Sequence, residues 1–457
     1  MNHFRNSPVL KYALGIFIVQ IVTVYLFIKA THYFSNLNDI LTLNKRGVQG
    51  ETKYGSQHEL KDYNVKWSKV KLLDKVPKEL MHDKWIVLTT INPPTEDVKK
   101  LAAIPDWKVV VVGDTKSPKY WSYPNCIFLD VKKQLALGYQ TTKLLKYKSY
   151  ARKSIGFLYA IQHGAKVIYE TDDDNSPTIG KIGFDPESSL NYLVYHTNTR
   201  SVVNPYAHFG QSSIWPRGYP LDKIGDEPIH TFRQCNKQRA LVQQGVVNGD
   251  PDVDAIYRIT RKDANVNLTV SFDSNAKPVL LPKGIMAPYN SQNTLHLYDA
   301  FWGLLLPQTV AFRVCDIWRG YWTQRLLWEI DGNLAFFPPN AFTFRNAHNY
   351  LEDFIDEKQL YHDSGRFVNY LKAWRSDKKH FFDRVIDLSF SLVSENFWES
   401  DDTLLVKYWL MDLVSIGYKP PTIGAKSGPC DSEVSTVLPN EQASSYLRSK
   451  NTLKKLE

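Results

Sequence analysis

A chain of 457 residues, 43% hydrophobic and 23% charged, has enough apolar side chains to bury a large core, which excludes wholesale disorder. Its formal charge of +9 suits a diphosphate-bearing or otherwise polyanionic ligand, but the basic residues are dispersed and no nucleic-acid motif accompanies them, so nucleic acid is set aside as a partner. Cys126, Cys235, Cys315 and Cys430 lack zinc-ligand spacing, which leaves one or two disulfides in an oxidising lumen, with pairing undecided, or buried thiols.

From Tyr12 to Ile28 only Gln20 and Thr23 are clearly polar. With its flanks this span reaches the roughly 20 residues needed to cross a bilayer. Arg5 and Lys11 before it and Lys29 after it bias the short tail, 1–11, toward the cytosol. A cleaved signal peptide competes with this interpretation. Its apolar region usually runs about 7 to 15 residues, and here the run is longer and lacks a clear small-x-small cleavage site, which favours an uncleaved signal anchor over 12–28. The remainder would then face the secretory lumen, compatible with the sequon Asn267-Leu268-Thr269. Residues 29–80, polar and without sustained periodicity, read as a stem.

Regular punctuation begins at Trp85. Trp85 to Thr90 predicts a buried strand, Ile91-Asn92-Pro93-Pro94 its loop, and Thr95 to Ala103 a helix capped by Thr95. Trp107 to Val112 predicts the next strand, closed by Gly113-Asp114, and Cys126 to Leu129 a third that ends at Asp130. Tyr150 to His163 has helical spacing, with Gly164 as its C-cap. Val167-Ile168-Tyr169 follows as a short buried strand, then Glu170-Thr171-Asp172-Asp173-Asp174, then a turn at Asn175-Ser176-Pro177.

Alternating strands and helices imply an α/β fold, a largely parallel sheet with right-handed crossovers whose loops gather at one edge. Asn92, Asp114, Lys116, Asp130 and the triplet Asp172 to Asp174 would converge there. Arg152 and Lys153 could meet a diphosphate or the acids, or form an ordinary solvated helix face. Adjacent carboxylates oppose one another's ionisation unless a cation compensates them. Acidic triplets also occur in solvated loops, but this one closes a buried strand, where open α/β sheets place their ligands. Oxygen-only ligands suit Mn2+ or Mg2+, which can bridge a diphosphate and neutralise its charge as a leaving group.

The middle, about 185 to 285, is rich in Gly, Pro, Asn and aromatics. Trp215 and Tyr219 could stack on a sugar or base, or pack their loop down. Asp250, Asp252 and Asp254 invite a calcium-loop reading, which Pro251 and the missing position-12 glutamate reject. In the apolar stretch 287 to 334, Asp316 and Arg319 must be paired, ligand-bound or near the surface. Either they form an i,i+3 pair that fastens a helix, or Asp316, with Arg319 beside it at a catalytic centre, is the general base that deprotonates an acceptor hydroxyl.

Tyr-Glu-Thr-Asp-Asp-Asp-Asn at 169–175, Ala-Phe-Trp-Gly-Leu at 300–304, Asp-Ile-Trp-Arg-Gly-Tyr at 316–321, Gln-Arg-Leu-Leu-Trp-Glu at 324–329 and Arg345-Asn346-Ala347-His348-Asn349 together resemble the STELLO family. The likeness extends from about Trp85 to Ala373. It implies a single-pass type II Golgi membrane protein whose luminal domain, 81–349, is glycosyltransferase-A-like, of the nucleotide-diphospho-sugar class. It also carries the metal-binding acids onto Asp172, Asp173 and Asp174. His296 and His348 are the candidates for a third ligand. Core-spaced apolar residues make 350–417 a helical extension, and 418–457 reads as a flexible tail.

The expectation is a metal-dependent glycosyltransferase that takes a nucleotide-sugar donor and glycosylates a glycan, lipid or protein acceptor in the Golgi. Asp172 would engage the ribose or, through water, the ion. Asp174 would ligate the metal, Asp173 would orient its neighbours or the donor sugar, and Arg152 and Lys153 would offset diphosphate charge. The alternative is a catalytically inactive scaffold of the same fold that assists assembly or trafficking of other Golgi membrane enzymes. Phosphoryl transfer would also use the acids, but neither a P-loop nor a kinase signature is present.

Overall fold

Strands that are apolar on both faces frame the site. Burial of Trp85 to Leu88 and of Val109 to Val112 is the pattern of parallel strands covered by helices on each side. In the computed structural model, which describes residues 64–178, 180–261, 268–344, 349–424 and 428–437, these are β1 (Lys84–Thr89) and β2 (Lys108–Val112). With β3 (Cys126–Leu129) and β4 (Val167–Thr171) they form a parallel run in the order β3-β2-β1-β4. The connecting helices are α1 (Glu96–Ala102), α2 (Val131–Ala136), α3 (Gln140–Leu144) and α4 (Lys153–Gln162), the last preceded by a 3-10 turn at Tyr150–Arg152. Thr95 caps α1 by accepting from the Val98 amide at 3.1 Å, and Gly164 follows α4 with φ of 90°, both as the sequence predicts. A Cβ on Gly156 would lie 2.6 to 2.7 Å from Val112 and Val87, so its absence lets α4 lie flat on the sheet.

Eight further strands follow: β5 (Asn175–Pro177), β6 (Tyr192–Tyr195), β7 (Thr231–Cys235), β8 (Ala240–Gly249), β9 (Val279–Leu280), β10 (Asn293–Leu297), β11 (Asn333–Thr343) and β12 (Ser435–Thr436). The later helices are α5 (Pro205–His208), α6 (Ala255–Thr260), α7 (Phe312–Leu327), α8 (Tyr350–Asp356), α9 (Lys358–Ala373), α10 (Phe381–Ser394) and α11 (Ser400–Ser415). The described residues build a 12-stranded sheet in the order β12-β7-β6-β9-β11-β8-β10-β4-β1-β2-β3, with β5 on β11. It is mixed: β10 runs antiparallel to both β4 and β8, while β8 and β11 share the longest ladder and run parallel.

Two segments differ from the sequence reading. Asn175-Ser176-Pro177 is a short strand on β11 rather than a turn, tolerated because β5 has a single neighbour and a proline at its end leaves no ladder bond unmade. The middle region contains β8, fully buried along most of its length, although Gln243 and Gln244 interrupt its apolar pattern. Gln243 exchanges bonds with Asp185, accepting from its amide at 2.8 Å and donating to its carbonyl at 2.6 Å. Gln244 accepts from the Asn290 amide at 3.0 Å. Buried amides satisfied in this way cost little.

The C-terminal helices are joined to the sheet domain by carboxylates. Asp412 of α11 accepts from the Gln140 and Thr141 amides at 2.9 and 2.7 Å, satisfying the first turn of α3, whose own N-cap Tyr139 offers no side-chain acceptor. Asp402 does the same for Gln308 and Thr309, and Trp409 donates to the Trp302 carbonyl at 2.8 Å. Within the expected stem, Trp67 donates to Asp383 at 2.8 Å and stacks on His380, so the ordered body begins ahead of Trp85. No helix among the described residues is long and apolar enough to cross a membrane; the 12–28 span, most of the stem, Asn267 and Arg345 to His348 lie outside them.

Cys235 of β7 and Cys430 form a disulfide across 195 residues of sequence, leaving Cys126 and Cys315 as thiols. Burial pushes the Cys126 thiol up to about 12, so it is unreactive at neutral pH. Closing so long a loop restricts the unfolded chain. The paired substitution Cys235→Ala with Cys430→Ala should lower unfolding stability by about 2–4 kcal/mol. Reductant should lower the melting temperature of the wild type and not of the double variant.

Candidate active site

The parallel strands end at one edge, and a cavity of about 550 Å³ opens there. One wall comes from the residues after β1 (Thr90, Asn92), β2 (Asp114, Lys116) and β4 (Asp172, Asp173, Asp174). The facing wall comes from α7 (Phe312, Arg313, Asp316) together with Arg217, Asp252, Ser291 and Thr343. The convergence expected for Asn92, Asp114, Lys116 and the triplet is therefore present. Asp130 is not on the cavity wall: it caps α2, accepting from Lys133 at 2.8 Å.

Each acid of the triplet has different surroundings. Asp172 accepts from the Tyr150 hydroxyl at 2.6 Å and from Lys153 Nζ at 3.1 Å. Burial, and then the Asp172 charge, push the Tyr150 phenol well above its ordinary range, so it remains a donor. Asp173 accepts from Thr90 Oγ1 and from Asn92 Nδ2 at 3.1 Å, while its carbonyl accepts from Thr95 Oγ1 at 2.6 Å. Asp174 accepts from Asn175 Nδ2 at 3.3 Å.

Behind the rim, Glu170 is completely buried between two cations, Arg319 Nη2 at 2.9 Å and Lys153 Nζ at 3.7 Å. Burial raises its pKa, and the two cations oppose that shift. Lys153 thus meets the acids, one of its two expected roles. Arg152 also lines the cavity, with its guanidinium donating to Gln134 and to the Leu145 carbonyl.

Arg319 and Asp316 do not pair with each other, which corrects the expected i,i+3 bond. Arg319 is fully buried, bound to Glu170 and facing the Tyr289 ring at 5.4 Å; it does not line the cavity, so it positions Glu170 and touches no substrate. Asp316 is on the wall and held by Arg217, whose Nη1 and Nη2 donate at 3.1 Å each. The Ser291 amide and hydroxyl both donate to Asp316 Oδ2 at 3.2 Å. Arg217 also forks onto Asp252, with contacts of 2.9 and 2.8 Å. Gly320 makes this arrangement possible: a Cβ there would lie 2.5 Å from the Tyr289 carbonyl, so α7 sits against the segment carrying Ser291.

His296 is also not a ligand in this arrangement. It is fully buried on β10, away from the cavity, and neither ring nitrogen has a hydrogen-bond partner. Burial, with Arg319 and Lys153 nearby, holds its pKa well below normal. Among the described residues no three His, Cys, Asp or Glu side chains gather into a ready-made metal site. The rim carboxylates suit instead a hard ion that arrives on a diphosphate, which needs only one or two protein oxygens.

The sequence reading missed Arg217, Tyr150, Ser291 and Phe312 on the wall, and passed over Asp252 once the calcium loop was rejected. Trp215 and Tyr219, the aromatics singled out, pack their loop instead: Trp215 donates to Asp254 at 2.6 Å and Tyr219 is buried. Arg217, between them in Trp-Pro-Arg-Gly-Tyr-Pro, could have been noticed as a charge in an otherwise apolar turn.

The Arg319–Glu170 pair allows a direct test. Arg319→Met, which leaves Glu170 short of a cation, should destabilise the fold by about 3–5 kcal/mol, and Glu170→Gln in the same chain should restore most of that. Denaturant unfolding of the single and double variants checks it.

Over residues 313–436 the chain matches the model of the STELLO glycosyltransferases, a segment that contains α7 and the C-terminal helices and follows the acidic triplet. It is 42% identical over 376 residues to the Arabidopsis thaliana protein named Probable glycosyltransferase STELLO1, covering 79% of this chain and 48% of that protein. It is 38% identical over 424 residues to Probable glycosyltransferase STELLO2 of the same plant, covering 89% and 55%. The chain spans about half the length of these relatives. With a family match that takes in Arg313, Asp316 and Thr343 of the cavity wall, at the edge of a mixed α/β sheet, the chain is STELLO-like, similar to the STELLO glycosyltransferases.

Proposed function

We propose that this protein transfers a sugar from a nucleotide-diphosphate donor to an acceptor hydroxyl, in the lumen of the Golgi. A single observation carries the reading: the acids that close β4 and Asp316 line one cavity, joined along its wall through Tyr150 and Ser291. The donor would lie along the wall formed by Asn92, Asp114 and Lys116. Asp172 and Asp174 would hold a Mn2+ or Mg2+ ion that supplies charge neutralisation for the departing diphosphate. Asp173, fixed by Thr90 and Asn92, would orient the donor, and Lys153 would offset negative charge at the rim.

On the facing wall Asp316 is the candidate base. As the bond between C1 and the diphosphate oxygen breaks, the acceptor oxygen bonds to C1 and its proton passes to Asp316 Oδ2. An acceptor hydroxyl would take the place of the Ser291 hydroxyl at that oxygen, while Arg217 keeps the carboxylate aimed. The Cys235–Cys430 disulfide supports an oxidising, luminal location, and the apolar span 12–28 supports a membrane anchor.

A second reading, a scaffold without turnover, is favoured by one feature. Asp172 and Asp173 already receive Lys153, Tyr150, Thr90 and Asn92, so the rim is compensated without an ion. Two measurements separate the readings. Thermal-shift titration of the full chain with nucleotide sugars should give stabilisation only when Mn2+ is also present, and Asp172→Ala with Asp174→Ala should abolish both that shift and sugar transfer. A folded double variant with undiminished turnover would reject the enzymatic reading.

A further inference from the structure

Phe312 stands out on α7. It opens the helix and is its one residue that is not buried, exposed to 62% while Arg313 through Leu327 are all buried. An exposed phenylalanine is unremarkable when solitary, but this one lines the cavity. Its ring is held edge-on against Tyr150, with centroids 5.5 Å apart and planes at 81°, and Tyr150 in turn donates to Asp172. The next residue, Arg313, is fixed inward on Glu357 at 2.5 Å, so the start of the helix is anchored and the ring's position follows from it.

Asp316 lies four residues along, on the same helix face. The cavity wall therefore presents, from mouth to depth, a flat apolar ring and then a carboxylate one turn below it, with Arg217 and Ser291 beside that carboxylate. Sugar rings present the complement: an apolar face of C–H bonds and an edge of hydroxyls. A lipid acceptor would need a continuous apolar channel, whereas the wall beyond Phe312 is formed by the charged side chains of Arg313, Asp316, Arg217 and Asp252, which suit hydroxyl groups.

We infer that Phe312 is the stacking platform of an acceptor subsite and that the acceptor is a carbohydrate chain, whose ring on Phe312 carries a hydroxyl down to Asp316. The inference rests on the transfer reading above and specifies its acceptor. The site is on the α7 wall, separate from the residues after β1 and β2 assigned to the donor.

The test uses the full chain in detergent micelles, titrated calorimetrically with cellohexaose, xylohexaose, mannohexaose and maltohexaose, beside the Mn2+ and nucleotide-sugar thermal shift. Wild type should bind at least one of these. Phe312→Ala should weaken that binding about tenfold, the scale of one aromatic stacking contact, without altering the nucleotide-sugar shift. Phe312→Trp should keep the binding and shows that loss in the alanine variant is not misfolding. Three outcomes overturn the inference: no hexasaccharide binds, Phe312→Ala binds as wild type does, or Phe312→Ala loses the nucleotide-sugar shift instead. Loss of hexasaccharide binding in a chain that shows no nucleotide-sugar shift would sink the transfer reading and leave the carbohydrate site standing.

Discussion

One ammonium group organises the acidic rim. Lys153 Nζ is buried at the start of α4 and lies between Glu170, beneath the rim, and Asp172, on it. Neither an isolated lysine nor an isolated glutamate is tolerable at that depth, so each requires the other, and Arg319 supplies the cation that Lys153 shares out. The resulting chain, Arg319 to Glu170 to Lys153 to Asp172, connects α7 to the end of β4 through three ion pairs. A second connection, Asp252 to Arg217 to Asp316, fixes the opposite wall from the same helix. Charge pairing thus ties both walls to one helix, α7.

This explains why so deeply buried a helix carries Arg313, Asp316, Arg319 and Arg325 among its residues. Each is ion-paired with a different neighbour: Glu357, Arg217, Glu170 and Glu329 respectively. Removing one partner leaves the other charged in a low-dielectric interior, a larger loss than the pair itself contributes. Such a helix has little freedom to shift in register, which suits an element that must hold a ring and a carboxylate at fixed depth on a cavity wall.

The part of the fold legible in the sequence was the part where pattern and packing agree. β1 to β4, the Thr95 cap and the Gly164 terminus follow from β-branched runs and turn chemistry, and with them the edge where Asn92, Asp114, Lys116 and Asp172 to Asp174 meet. β8 was hidden because Gln243 and Gln244 break its apolar run, and their justification lies in Asp185 and Asn290, far away in sequence. Asp316 was found because a carboxylate in an apolar stretch is anomalous, but its partner could not be. Helical spacing offered Arg319, whereas the fold delivered Arg217 from 99 residues earlier. Long-range pairing of charges carries no periodic signal, so the half of the cavity built from it was invisible. His296 shows the converse: a residue of ligand type proved to be interior, where burial first, and Arg319 and Lys153 after it, hold its pKa well below normal.

The carboxylate of Asp412 occupies the place that an N-cap side chain would fill at α3, although it comes from the last long helix of the chain. The sheet domain thus borrows a terminator from a segment made some 270 residues after it. The segment around Gln140, which precedes the Tyr150 and Lys153 that bind Asp172, has its first-turn amides satisfied only when α11 is packed in place. A fragment that stopped short of α11 would leave those two amides without their acceptor, so the ground beneath the cavity wall depends on the C-terminal helices.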